Sequence, residues 1–448
     1  MFKGKHRALA LMTLLSLMAI TAVACAPAST PTPLPTKAPA AATSAPVAAP
    51  TAAAAPTTAP VATKPAAAAP TTAPAASTEP WKIGFVNSAS GYMAAMGTPE
   101  REAVLMLEEK VNKAGGINGR PLKIVAYDDE SDETKGVLAV KKLINDDKVL
   151  GIIGTAASGI AMAEVPVAED SKVPFVTMQS AKSTIVPDKK WIFKLPLSEA
   201  FYVEGIYKWL KGEGFTKIAW ISQGAGFGRE AVKYLDSTAA QQGLTVLVKE
   251  EYGPTDTDMA PQLTKVKASA AQALVVYGAE AAGAIVVRQA KDMGITIPVI
   301  GPESLTMPAI MGDQSLRNGL ENLYVLAHKG DVWEQIPDTD TQKPVLKGLA
   351  ADLKAKYGAT RTMSMWEGVA NDAFNVMVGA LQKANPDPTK LEDARSKIRD
   401  AIEQVKGHLG ATSLLNYSAT DHEGGVDIKA GVINQVKGGT FKLIKGLQ

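Results

Sequence analysis

From Trp81 onward, short apolar runs alternate with longer segments whose apolar positions return at helical spacing. Lys82 to Val86 reads as a buried strand, followed by a polar loop and a helical stretch from about Thr98 to Lys113. The same alternation recurs, with strands expected at Leu122–Tyr127, Leu150–Ile153, Pro174–Thr177, Lys217–Ser222, Leu244–Lys249, Ala273–Tyr277 and Pro298–Gly301. Such alternation predicts an α/β fold whose parallel sheets are covered by helices on both faces. So many units exceed one compact sheet, and the stretch Lys194-Leu195-Pro196-Leu197-Ser198 reads as a crossing between two α/β lobes. Two lobes imply a cleft. Open α/β sheets bind ligands beyond the carboxyl ends of their strands, which directs attention to the loops after Val86, Ile153, Thr177, Ser222, Tyr277 and Gly301.

The first eighty residues follow a different pattern. Lys3, Lys5 and Arg7 precede an apolar run from Ala8 to Val23 and then small residues, the layout of a secretory signal over residues 1–25. Residues 26–80 are almost entirely Ala, Pro, Thr and Ser, with Leu34, Val47 and Val61 as the larger aliphatics. That composition cannot bury enough apolar surface to offset ordering entropy, so it predicts a disordered linker. At about 3.1 Å per residue in polyproline form, it would reach on the order of 150 Å. Cys25 follows Ala22-Val23-Ala24, and the segment resembles the lipobox of bacterial lipoproteins, in which the cysteine is acylated. Ala22 stands where that motif prefers Leu; ordinary peptidase cleavage after Ala24 is the alternative. The expectation is an exported protein, lipid-anchored on the outer side of a cell membrane.

Composition narrows the function. The chain has 448 residues, 46% hydrophobic and 21% charged, enough for more than one packed domain. Of its 47 cations and 45 anions, five and one lie in the first eighty residues, leaving 42 against 44. A near-neutral folded part gives nucleic acid no electrostatic footprint. Cys25 is the single cysteine, and His6, His328, His408 and His422 are scattered, which disfavours disulfides, zinc and Cys–His catalysis. Gly224-Ala225-Gly226-Phe227-Gly228 opens a helix after a strand, yet it lacks the glycine spacing of a dinucleotide fingerprint and the Lys-Ser/Thr of a P-loop. Neither an enzyme nor a cofactor is expected.

Lys113-Ala114-Gly115-Gly116-Ile117-Asn118-Gly119-Arg120-Pro121-Leu122, followed by Tyr127-Asp128-Asp129, resembles the signature of branched-chain-amino-acid-type (type I) periplasmic binding proteins, which serve ABC importers. The likeness continues through Ile152-Ile153-Gly154, Phe227-Gly228-Arg229-Glu230, Asp256-Thr257-Asp258-Met259 and Gly301-Pro302-Glu303, and covers residues 81–448. It implies two Rossmann-like lobes joined by a three-segment hinge, with crossovers near 194–198, 324–329 and 411–418. The N-terminal lobe would hold 81–196 plus 328–412, and the C-terminal lobe 197–327 plus 413–448. It further implies a monomer that delivers its ligand to an ABC permease.

Thr155-Ala156-Ala157-Ser158-Gly159 lies between a strand and a helix, where backbone N–H groups around Ala157 and the Ser158 hydroxyl could cradle a carboxylate. A serine there could instead cap its own helix. The resemblance assigns Ser158 to the ligand's carboxylate, Glu303 to its α-ammonium group and Tyr277 to the cleft wall. Met96, with Tyr92 and Met93, offers an apolar wall. The segment Met178-Gln179-Ser180-Ala181-Lys182-Ser183 departs from the family pattern by lacking its ligand-contacting threonine. Ser180 would substitute, and Lys182 either favours a second negative group or points into water. The expected ligand is an amino acid; a non-amino-acid carboxylate or amide, or a sensory role beside a membrane receptor, are the alternatives.

Overall fold

The structure, a computed structural model, describes residues 79–447 apart from 196–197 and 425–426. The signal sequence, Cys25 and the linker through residue 78 therefore lie outside the described residues. The chain runs β1 (Trp81–Asn87), α1 (Ala94–Lys113), β2 (Leu122–Asp128), α2 (Glu133–Asn145), β3 (Ile152–Gly154), α3 (Ser158–Asp170), β4 (Phe175–Thr177) and β5 (Ile192–Lys194). These strands form one parallel sheet in the order β2-β1-β3-β4-β5.

After α4 (Glu199–Gly212) a second series begins: β6 (Lys217–Gln223), α5 (Gly226–Thr238), β7 (Thr245–Tyr252), α6 (Ala260–Ala268), β8 (Ala273–Tyr277), α7 (Glu280–Asp292), β9 (Val299–Pro302), α8 (Pro308–Gly312), α9 (Gln314–Gly319) and β10 (Tyr324–His328). The chain continues through α10 (Lys343–Tyr357), α11 (Met365–Ala384), α12 (Leu391–Glu403), a small hairpin β11 (His408–Leu409) and β12 (Leu414–Leu415), and the strands β13 (Gly431–Lys437) and β14 (Thr440–Gly446). The second sheet has the order β14-β13-β10-β9-β8-β6-β7. Its centre is parallel, and β8 is buried along its whole length, as a strand covered on both faces must be.

The parallel α/β architecture expected from the pattern is present, extended by an antiparallel pair that the pattern did not suggest. The β13–β14 turn falls at Gly438 and Gly439, with φ of 57° and 73°, the conformation a tight hairpin requires and glycine supplies. Lys194 also differs from expectation. It closes strand β5, fully buried, with its N–H donating to the His422 carbonyl at 2.8 Å. A lysine at the end of a three-residue strand masks the strand signal.

Although α10 to α12 follow the second sheet in sequence, they pack on the first. α11 lies along α1, Met377 fills the space beside Gly151, and Arg395 on α12 donates twice to the Val149 carbonyl, at 2.8 and 3.1 Å. Ser364 and Glu367 cap α11 reciprocally, which fixes where this long buried helix begins. The chain thus passes between the two sheet systems three times. At one passage Tyr417 donates to the Lys194 carbonyl at 3.1 Å, which joins the last crossing to the first.

Candidate functional site

The carboxyl ends of the first sheet's strands are tied together by one acid. Asp129, fully buried just beyond β2, accepts from the Ser88 hydroxyl at 2.6 Å, the Ser131 N–H at 2.8 Å and the Thr155 hydroxyl at 3.2 Å. It therefore fixes the loops after β1, β2 and β3 at once. Burial pushes its carboxyl up, and the three donors oppose that shift. Ser131 in turn donates to the Ser90 carbonyl and accepts from the Met93 N–H, which places the Tyr92–Met96 segment. Asp132 caps α2 by accepting from the Lys135 N–H at 2.9 Å, so the acidic run after β2 is a structural device.

Helix α3 begins at Ser158 with Ala157 as its N-cap, and no side chain caps it. Ser158 is therefore the first helical residue and does not cap its own helix. Its hydroxyl lies 3.5 Å from that of Ser180, beyond β4. Helices α5 and α7 likewise have alanine N-caps, Ala225 and Ala279, and no side-chain cap. The starts of α3 and α5 meet face to face. A Cβ placed on Gly226 would stand 2.8 Å from the Gly159 nitrogen, so only glycine allows this approach.

These elements line a cavity at the carboxyl ends of the parallel strands of the two sheets. Ala157, Ser158, Gly159 and Ser180 line it from the first sheet, with Tyr92, Met93, Met96 and Trp366 forming an apolar side. Gln223, Gly226, Phe227, Ala279, Ser304 and Tyr202 face them from the second. Among the described lining residues there is no lysine, arginine or histidine. A negative group here would have to be held by helix N-termini and hydroxyls, which carry partial positive charge without a formal cation.

Four of the seven site residues read from the sequence, Met96, Ala157, Ser158 and Ser180, come together around this cavity. The other three stand outside its lining. Glu303, buried, receives the Tyr202 hydroxyl at 2.7 Å and the His328 N–H at 2.5 Å, and its Oε1 lies 2.8 Å from His328 Nδ1. It sits one hydrogen bond behind the cavity wall, since Tyr202 is part of that wall. Tyr277 is fully buried, stacked on Trp220 with ring centroids 5.3 Å apart and beside Phe227 at 4.6 Å. Burial pushes its hydroxyl far above the ordinary tyrosine range. Lys182 extends to Glu423, 3.1 Å away, and the other oxygen of Glu423 lies 3.6 Å from the buried Lys194 ammonium.

Sequence reasoning passed over Gln223, Phe227, Tyr202, Ser304 and Trp366. Gln223 directly follows Ser222, at a strand end already singled out for inspection, so position could have found it. Trp366 comes from α11, more than 60 residues beyond β9 in sequence, and only the second passage of the chain brings it to the cavity.

Two α/β lobes closing over a cavity, with polar groups converging from both sides, define a solute-binding protein of the trap type. The family model for periplasmic binding proteins matches residues 80–440, and the chain belongs to that family, whose members bind substrates and are not enzymes. Among curated relatives, the Leucine-, isoleucine-, valine-, threonine-, and alanine-binding protein of Pseudomonas aeruginosa is 26% identical over 76% of this chain and 89% of its own length. The Leu/Ile/Val-binding protein homolog 3 of Brucella melitensis is 23% identical over 75% and 87%. Among solved structures, an extracellular ligand-binding receptor from Rhodopseudomonas palustris superposes with a TM-score of 0.74 at 23% identity, covering 82% of this chain and all of that one. A leucine-binding protein from Thermotoga maritima gives 0.70 at 20% identity, covering 82% and 98%. The fold is that of a type I periplasmic binding protein, and the family places the protein outside the cytoplasm. Among the described residues, no helix is long and apolar enough to cross a membrane.

Proposed function

We propose that the protein captures a small α-amino acid between its lobes and delivers it to an ABC importer. The observation that carries this reading is the polarity of the cavity. The uncapped start of α3, with the Ser158 and Ser180 hydroxyls, offers a carboxylate site at one side, and Met93, Met96, Phe227 and Trp366 offer an apolar side for a hydrocarbon chain. The binding named for the curated relatives supports the same ligand class.

In this account Ala157, Ser158 and Ser180 hold the ligand carboxylate and Met96 packs on its side chain. Glu303 acts through Tyr202, Tyr277 braces the second wall, and Lys182 belongs to the ion cluster at the crossing. We assign the lobes as 81–196 with 328–412 and 197–327 with 413–448, in keeping with sheet membership and the packing of α10 to α12. Ligand contacts from both lobes favour the closed state. Upstream, acylated Cys25 tethers the folded head that follows residue 80 to the membrane as a monomer.

The test is a thermal-shift panel on the full chain with amino acids, aromatic acids, amides and small dicarboxylates, since a ligand that binds only the folded state raises the melting point. A hit among α-amino acids is expected. Stabilisation by acids lacking an amine, with none by amino acids, would contradict the ligand class. For the anchor, Cys25→Ala should release the protein from the membrane fraction, and continued retention would contradict acylation.

A further inference from the structure

The cavity wall carries a formal charge, and it is negative. Glu133, the first residue of α2, is the only charged side chain among the described lining residues. It is exposed to solvent, and no hydrogen bond or ion pair with another described residue engages its carboxylate. A Cβ placed on Gly159 would stand 3.2 Å from Glu133 Oε1 and 3.9 Å from the Gly226 nitrogen. The carboxylate therefore lies beside the place where the starts of α3 and α5 meet. After burial, it is also among the carboxylates that push up the Tyr92 hydroxyl in the same lining. An acid in a first helical turn complements the dipole of its own helix wherever the side chain points, and Asp132 already caps α2. Facing the cavity is a separate property.

Much of the donor capacity around this charge is committed to the protein. Gln179 Nε2 donates to the Thr184 hydroxyl at 2.7 Å and to the Thr177 hydroxyl at 3.2 Å. Those hydroxyls give their own hydrogens to the Ala181 and Phe193 carbonyls, so toward Gln179 they can only accept. The amide is thereby fixed, with its Oε1 buried and without a partner. Gln223 Nε2 donates to Glu280, the Ser304 hydroxyl to the Gly278 carbonyl, and the Tyr202 hydroxyl to Glu303. Ser158 and Ser180 at the start of α3 keep hydroxyls for one carboxylate. No lysine, arginine or histidine among the described lining residues stands ready for a second, and Lys182 is held by Glu423.

We propose that Glu133 sets the charge selectivity of the cavity: it favours an amino acid whose side chain ends in a cation and disfavours one that carries a second carboxylate. This rests on the amino-acid reading of the cavity and narrows its ligand class. A zwitterion brings no net charge and leaves Glu133 unanswered. A ligand with one net positive charge answers it, with its methylene chain against Met93 and Met96. A ligand with one net negative charge meets repulsion and finds no spare cation. Because Glu133 is exposed, each step is modest, about fivefold in affinity, and salt screens it.

The experiment is calorimetric titration of the full chain with three amino acids of similar length, L-lysine, L-norleucine and L-2-aminoadipate, at neutral pH and low ionic strength. Wild type should bind them in that order, with about fivefold between successive ligands. Glu133→Gln should bring the three within about twofold of one another, and Glu133→Lys should reverse the order. Salt at about 1 M should shrink the wild-type differences, as a preference for shape would not. A wild-type order that does not follow charge, or one that persists in Glu133→Gln, would overturn the inference while leaving the amino-acid reading intact. Failure of all three, and of L-leucine and L-alanine, to bind the wild-type chain would overturn both.

Discussion

Asp129 and Glu280 are both buried acids, one behind each wall of the cavity, and they are treated in opposite ways. Asp129 accepts three hydrogen bonds from three loops; Glu280 accepts one and leaves an oxygen unanswered. Burial raises both carboxyls. The number of donors separates them: an acid supplied with several donors fastens a scaffold, and an acid with few carries the cost of burial uncompensated. Glu303, with partners on both oxygens, falls on the fastened side. The loops of the first wall are thus braced through Asp129, while each wall also holds buried polar atoms without a partner, Gln179 Oε1 in the first and the Tyr252 and Tyr277 hydroxyls in the second.

The sharpest way to break this comparison is to remove each acid and compare stabilities by urea unfolding. Asp129→Ala leaves the Ser88, Ser131 and Thr155 donors without an acceptor and should cost about 3 kcal/mol. Glu280→Gln should do the reverse. The folded-state value of Glu280 lies above its ordinary 4.5, so the unfolded chain ionises first and the wild type loses stability as pH rises from about 4.5 towards about 9. The amide variant escapes that loss, and should exceed wild type by on the order of 2 kcal/mol near the upper part of this window, with the gap closing toward acid pH. If both variants destabilised equally at all pH values, the two acids would be doing the same job.

Contact between the walls offers a smaller effect. Gly226→Ala introduces a Cβ against Gly159 and should weaken amino-acid binding by about tenfold, or 1.4 kcal/mol, because it holds the lobes apart. Unfolding of the unliganded variant should change little, and a matching loss of stability would mean the contact is structural. Met96→Ala trims only the apolar side of the cavity. It should lower affinity for large aliphatic amino acids by severalfold while sparing alanine, a difference that competition among the two ligands would reveal.

Much of this molecule was legible from its residues. The strands at Lys82, Leu122, Ala273 and their neighbours announced themselves because buried parallel strands are short, apolar and separated by helices. Loops at strand ends pointed to Ala157, Ser158 and Ser180 for the same topological reason. What escaped was set by long-range packing. Lys194 hid a strand because its charge is met by Glu423, more than 200 residues away. Trp366 reaches the cavity only through the second crossing. Glu280 carried no local sign at all: a glutamate opening a helix is commonplace, and its strain, burial and missing partner exist only in the folded chain.

The most direct test of the central claim is a crystal structure of the full head with the amino acid that stabilises it most. The account predicts the ligand carboxylate at the start of α3 beside Ser158 and Ser180, and its side chain against Met93, Met96, Phe227 and Trp366. A ligand bound outside this cavity, or with its carboxylate turned away from the start of α3, would contradict it.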